Sequence, residues 1–283
     1  PATLELTGMS SQSAKVASMG WFCLILFPLL VVPTLTMVPD THSKPQSSVP
    51  WAEAMKVLAS NNLLWRLLAA DLASGFGTAV SGALYIFVAA TYFKLPEHAS
   101  IALLFYFLAS FLAMPIWLKL AYKVGKDVAL KIALLYAVVI NLGLIPIAQE
   151  GSVVVLWGFT IAFGVAFGAA PTLLRSMMAD LTDEDELRSG QKRPGLFFAL
   201  LTTTNKLGAA FAVGASFAIL EVAFGFVPGG DNSSEALDGL LVTYCVGTAF
   251  GLFLAFLSML KYPLDRAAHD EIRRELERRQ KTE

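Results

Sequence analysis

Charge is scarce in this sequence. Asp, Glu, Lys and Arg make up 15% of the 283 residues against 56% hydrophobic residues, too little to clothe the surface of a soluble fold of this length. Cysteine is nearly absent, and Cys23 and Cys245 both lie in apolar runs, which excludes a disulfide framework. Three scattered histidines, His42, His98 and His269, offer no ligand spacing, so no bound metal is expected. A net charge of −1 gives no excess of one sign from which to read a partner, and nucleic acid is not expected. No nucleophile and base share one depth in the apolar segments, so an enzyme is not expected either.

Apolar length is what the sequence has. Mean hydropathy is +0.63, and seven segments (19–38, 63–93, 100–120, 128–148, 153–178, 196–226 and 240–260) each approach or exceed the ~20 residues that cross a hydrocarbon core. They are too long, and too rich in Gly and Ala, for barrel strands that alternate over about 10 residues. The predicted fold is an all-α membrane protein with seven transmembrane helices. If the first segment enters from outside, the inner regions and adjoining helix ends hold every basic residue except Lys15, Lys94 and Lys206. That asymmetry predicts an outer N-terminus and an inner C-terminus.

Four regions follow. Residues 1–38 carry one span. Residues 39–62 are a polar, Pro-rich inner linker in which Ser48 as cap, Pro50 in the first turn and Trp51, Met55 and Leu58 on one face predict a short interfacial helix. Residues 63–262 hold six spans, and 263–283 form a charged inner tail helix with Leu264, Ala268, Ile272 and Leu276 on one side. The chain begins with Pro1 and has no signal-peptide architecture, so it is expected to be the back portion of something larger.

The stretch TTTNKLGAAFAVGA, residues 202–215, keeps a lysine inside an apolar segment. Counted from Leu196 at ~1.5 Å per residue, Lys206 lies about 15 Å into its helix, near the bilayer midplane. A lysine there costs about 2.5–3.5 kcal/mol on insertion scales and normally faces a bundle interior or a watery cavity. Thr202, Thr203 and Asn205 within one turn complete a patch suited to sugar hydroxyls or a carboxylate. The alternative is a structural ion pair with Asp71, the only acid well inside the second segment and about 13 Å beyond Asn62; Asp71 reads equally as a helix-end residue in a water-filled vestibule. Glu221 reads as a residue of the outer headgroup level. Asp180, Asp183, Glu184, Asp185 and Glu186, with Arg188, Lys192 and Arg193, form a charged loop at the inner face. Gly164/Gly168, Gly247/Gly251 and Gly75, Gly77 and Gly82 predict close helix contacts. Asn232 begins an NSS sequon on an outer loop.

The stretch MMADLTDEDELRSGQKRPGLFFALLTTTNKLGAAFA resembles the signature joining helices ten and eleven of the glycoside-pentoside-hexuronide cation symporters, the melibiose permease family of the major facilitator superfamily. The matching positions, in register without a gap, are Asp180, Asp183, Glu186, Gly190, Lys192, Arg193, Gly195 and Lys206. Lys192 stands where arginine is usual and Pro194 where an acid is. MPIWLKLAYKVGK, residues 114–126, resembles that family's loop between helices eight and nine. The resemblance implies that the chain corresponds to helix six plus the C-terminal six-helix bundle of a major facilitator fold, with helices one to five missing. It implies cation-coupled symport of a sugar or glycoside in a bacterial inner membrane. Lys206, Thr202, Thr203 and Asn205 would meet the substrate, and Asp180, Asp183, Glu186, Arg188, Lys192 and Arg193 would latch against the other half. The coupling cation, Na+ or H+, would bind the missing helices. A lysolipid symporter of the same superfamily and a non-transporting membrane fragment with a scaffolding role are the alternative readings.

Overall fold

The computed structural model describes residues 12–38, 59, 61–191, 193–260, 262, 271–272, 274–276 and 278, with side chains from residue 16 onward. It divides into two compact units, Pro1–Pro50 and Trp51–Glu283. The first holds α1, Gln12–Met37, which contains Pro28 and Pro33. Each proline removes a ladder N–H, and near Pro33 the Thr34 hydroxyl donates to the Leu30 carbonyl at 2.9 Å and that of Thr36 to Val32 at 2.9 Å. Backbone carbonyls in lipid need such donors because no water reaches them.

The second unit runs through α2 (Asn62–Phe87, prolonged by a π-helical turn, Val88–Tyr92), α3 (Pro96–Val124), α4 (Lys126–Leu144), α5 (Val153–Phe167), α6 (Ala169–Ser189), α7 (Pro194–Phe224) and α8 (Ser234–Ser258). The described residues thus form helices and no strand, and seven stretches are long and apolar enough to cross a membrane. The ends are written locally. The side chains of Asn61, Ser152 and Ser233 accept from the first free backbone N–H groups of α2, α5 and α8, and proline opens α3 and α7, where a missing donor is harmless. Gly190 and Gly225, at φ 70° and 63°, close α6 and α7 in the left-handed region.

The structure revises two expectations. The segment predicted at 153–178 is one span made of two helices, Val153–Ser189, broken at Gly168. Pro171 has no N–H for the Phe167 carbonyl four residues back, which stops α5 there. The charged stretch predicted as a loop from Asp180 to Arg193 is helical as far as Ser189. Leu181 and Asp185, one turn apart, are both buried and hold that extension against the bundle. The residues of the interfacial helix, Ser48 to Leu58, and Leu264 and Ala268 of the tail lie outside the described residues, whereas Ile272 and Leu276 sit in helical turns.

Helix α2 is the hub, packed along α7 on one side and α8 on the other, while α3 pairs with α5 and α4 with α8. Small residues permit these contacts. A Cβ built on Gly77 would stand 2.7 Å from the Thr248 carbonyl oxygen, one on Gly251 2.7 Å from that of Ala73, and one on Gly164 2.5 Å from that of Tyr106. Gly75 faces the Asn205 backbone and Gly208 the Leu72 carbonyl, so α2 and α7 cross with glycine contributed from each side. Gly82, by contrast, has nothing within 4 Å and opens onto a cavity. Asn232 braces the turn between α7 and α8. Its side chain accepts from the Val227 N–H at 2.8 Å and donates to the Val227 and Gly230 carbonyls at 3.0 Å.

Candidate functional site

On one side of the bundle the helix ends are tied by charge. Arg193 grips Asp185 with two parallel hydrogen bonds, Nε to Oδ2 at 2.7 Å and Nη2 to Oδ1 at 3.0 Å, and the two side chains are only 9% and 3% exposed. Lys126 donates to both oxygens of Asp180, at 2.7 and 2.6 Å, joining the start of α4 to α6. Asn61, the α2 cap, sits against the Glu184 carboxylate. Burial, reinforced by the charges of Asp180, Glu184 and Asp127, pushes the Tyr262 hydroxyl up from its usual range. Two residues expected to latch against another half, Asp180 and Arg193, therefore find partners within this bundle. Asp183 and Glu186 are half-buried and Arg188 is exposed on the same helical extension, while Lys192 lies outside the described residues.

This plane gives a common origin for depth. Asp71 is ten residues beyond Asn61, about 15 Å at 1.5 Å per residue, and Arg175 nine residues from Glu184, about 14 Å. Thr204, Asn205 and Lys206 lie 11 to 13 residues beyond Arg193, about 17–20 Å. Three helices therefore carry polar residues into one layer within the membrane. Asp71 is 5% exposed and is met from α7 by Thr204 Oγ1 at 3.3 Å and Asn205 Nδ2 at 3.4 Å. The Arg175 guanidinium on α6 is close enough to act on that carboxylate electrostatically.

The ion pair considered between Asp71 and Lys206 is not formed. Lys206 is exposed and makes no ion pair among the described residues. Helical rotation explains this, because Lys206 follows Thr204 by two residues, about 200° around the axis. Leu201, Gly208 and Ala212 are buried, with Thr204 and Asn205 half-buried beside them against α2, whereas Thr202, Thr203 and Lys206 share the exposed side of α7. Of the four residues expected to meet substrate, the structure groups three on one open face and turns Asn205 towards Asp71.

Sequence reasoning missed Thr204 and Arg175. It groups Arg175 with the basic inner helix ends, because the apolar segment stops at Met178. Extension of α6 to Ser189 lifts Arg175 about 20 Å from that helix end. The available signal was the charge itself, lying inside the segment marked 153–178.

Beyond this layer, further from the charged plane, is a cavity of about 340 Å³ between α2, α3, α5 and α8. Its nearest lining residues, Thr78 and Phe167, stand seven residues beyond Asp71 and eight before Arg175, roughly 10–12 Å further from the charged plane. The volume falls in the ~300–1,000 Å³ range of small-molecule sites. Tyr85, Tyr106 and Tyr244 line it, and two of their hydroxyls are engaged, Tyr85 donating to the Ala99 carbonyl at 3.0 Å and Tyr244 accepting from Ser81 at 3.2 Å. Aromatic faces with a few fixed hydroxyls can hold a ring that is apolar on one face and polar at its edges.

Residues 2–266 match the family described as MFS/sugar transport protein. The chain belongs to that family. It is thus a multi-pass membrane protein of a transporter family within the major facilitator superfamily. This MFS chain is 26% identical over 240 residues to an uncharacterized symporter of Synechocystis, covering 82% of the chain and 44% of that protein. Over 174 residues it is 26% identical to an uncharacterized symporter of Bacillus subtilis, with 62% and 37% covered. It is also 24% identical over 168 residues to a sodium-dependent lysophosphatidylcholine symporter of Danio rerio, with 58% and 31% covered. Less than half the length of each curated relative is matched.

Proposed function

We propose that this chain is the helix-six-to-twelve portion of a melibiose-permease-like symporter that moves a sugar or glycoside by alternating access, coupled to Na+ or H+ bound on helices one to five. The observation that carries the reading is the polar layer of Asp71, Arg175, Thr204, Asn205 and Lys206 at one depth on three helices of the bundle. Ionisable residues held at such cost inside a membrane normally mark a solute or ion path, and midplane binding between two rocking bundles is the geometry of such transporters. Lys206, Thr202 and Thr203 meet the solute from α7, and the tyrosine-lined cavity receives its ring. The Lys126–Asp180 and Arg193–Asp185 ties make the inner ends of α4, α6 and α7 one body, so that the bundle rocks as a unit. Asp180, Asp183, Glu186, Arg188, Lys192 and Arg193 form the charged end that latches against the other half. Proteoliposomes containing the chain together with its upstream helices are expected to accumulate sugar under an imposed Na+ or H+ gradient, and the chain alone none. Robust uptake by the chain alone overturns the reading.

The N-terminus lies outside and the C-terminus in the cytoplasm in this reading, which the clustering of basic residues at alternate helix ends supports, and the membrane is a bacterial inner membrane. With both native cysteines replaced, a cysteine at Gly229 is expected to react with an impermeant thiol reagent in intact cells and one at Ser189 to stay protected. The reverse pattern inverts the topology. The largely apolar lining of the cavity supports a second reading, a lysolipid or similar amphiphile as the solute, which competition of sugar uptake by that amphiphile separates from the first.

A further inference from the structure

We propose that the cavity between α2, α3, α5 and α8 binds a neutral, flat aromatic compound that carries a carbonyl group, the carbonyl oxygen being held by the hydroxyls of Tyr106 and Tyr244. The inference goes beyond the transport reading, because such a compound need carry no sugar and binds as a free molecule.

The polar groups of the cavity are nearly all spent. Six hydroxyls line it, those of Thr78, Ser81, Tyr85, Tyr106, Thr160 and Tyr244. Thr78 and Thr160 donate to carbonyls of their own helices, Ser74 at 2.7 Å and Leu156 at 2.6 Å. Tyr85 donates to the Ala99 carbonyl and Ser81 to the Tyr244 oxygen. A phenol has one proton besides its lone pairs, so Tyr244, which accepts from Ser81, keeps its own proton to give. Tyr106 is only 8% exposed, and its hydroxyl makes no hydrogen bond among the described residues. A buried hydroxyl left in that state is costly, and a ligand acceptor removes the cost. The Tyr106 and Tyr244 hydroxyls are near enough to act on one another electrostatically. A carbonyl oxygen, with two lone pairs and no proton, is the complement of two such donors.

The walls define the rest of the ligand. Seven of the lining side chains are aromatic and none is charged, so an ion would lose its water there and gain no counter-charge. The rings of Phe159 and Phe163 are parallel to within 13°, and Tyr106 adjoins Phe163 and Phe167 with centroids 5.8 and 4.9 Å away. Flat rings pack against such faces by offset or edge contact. The entrance is apolar as well. A Cβ built on Gly82 meets nothing within 4 Å, and Ile86, Leu103 and Phe107, which share the lining, are 49%, 36% and 51% exposed. A neutral molecule that partitions into lipid sheds little hydration on passing them.

Coumarin and naphthalene are both flat two-ring molecules, and only coumarin has a carbonyl. Binding of each to the complete protein in detergent is measured by equilibrium dialysis, with protein-free micelles as the blank. Coumarin is expected to bind saturably at one site per chain. Tyr106→Phe, which removes a hydroxyl without stranding a partner, should weaken coumarin about 10-fold and leave naphthalene within about 2-fold. Gly82→Leu, which fills the open space, should exclude both. Absence of saturable coumarin binding overturns the proposal, and so does coumarin binding that survives Gly82→Leu, since the ligand then lies elsewhere. Equal effects of Tyr106→Phe on the two ligands overturn the assigned hydrogen bond, and that comparison decides the matter even where Gly82→Leu does not fold.

Discussion

Replacing Arg193 with methionine is expected to lower the stability of the bundle by about 3–5 kcal/mol, the cost of stranding a buried carboxylate. Asp185 is 3% exposed, and its two oxygens accept from Nε and Nη2 of Arg193 at 2.7 and 3.0 Å. Without the guanidinium the carboxylate has lost its solvent and its counter-charge together. Thermal unfolding in detergent measures the effect. Because two apolar residues of similar size often replace a buried pair without loss, adding Asp185→Leu to Arg193→Met should recover most of it. The same cycle isolates the pair energy, provided each single change introduces no new contact. A loss below about 1 kcal/mol, the size seen for exposed pairs, would mean that the pair is solvated. The α6–α7 turn would then not be the rigid joint assigned to it.

Lys206→Met is expected to have the opposite profile, with gradient-driven uptake by the complete protein lowered at least 100-fold and stability left within about 0.5 kcal/mol of the parent. The lysine is exposed and has no ion pair among the described residues, so its removal strands nothing and discards a charge that is costly at that depth. Asp71→Asn keeps an acceptor for Thr204 and Asn205, and the Lys206→Met/Asp71→Asn double variant should show a coupling in stability below about 0.5 kcal/mol, as expected for side chains that share no direct contact. Strong coupling, with uptake intact in the double variant, would make Lys206 a lock rather than a solute contact.

The two variants differ because one charge lies between helices and the other on an open face, and only part of that difference is legible in the sequence. The depth of Lys206 follows from counting residues along an apolar segment, since helix rise is fixed by backbone geometry. Its direction does not follow. Sequence reasoning allows Asp71 as its mate because both fall at similar depth, yet contact also requires the two helices to be rotated towards one another. That rotation is set by Gly75 and Gly208, which bring α2 against α7 along the side bearing Thr204 and Asn205.

The C-terminal end of α6 shows the same limit. DLTDEDELRS looks like a solvated loop because its charge density is high, and its continuation as helix becomes evident only when Leu181 and Asp185 are seen buried on one side. Arg175 was then misplaced in depth, since its position depends on where that helix ends.

The sequence by itself determined the all-helical membrane class, the seven apolar spans and most of their ends. Hydrocarbon admits only segments that satisfy their own backbone, and caps, prolines and glycines act over a single turn. Tertiary structure alone decided that Asp71 meets Thr204 and Asn205, that Asp185 is closed by Arg193 and Asp180 by Lys126, and that Arg175 rises into the layer with Lys206. Those relations depend on which faces of separate helices meet. Close packing of small residues fixes that choice through contacts between positions as distant in the chain as Leu72 and Gly208.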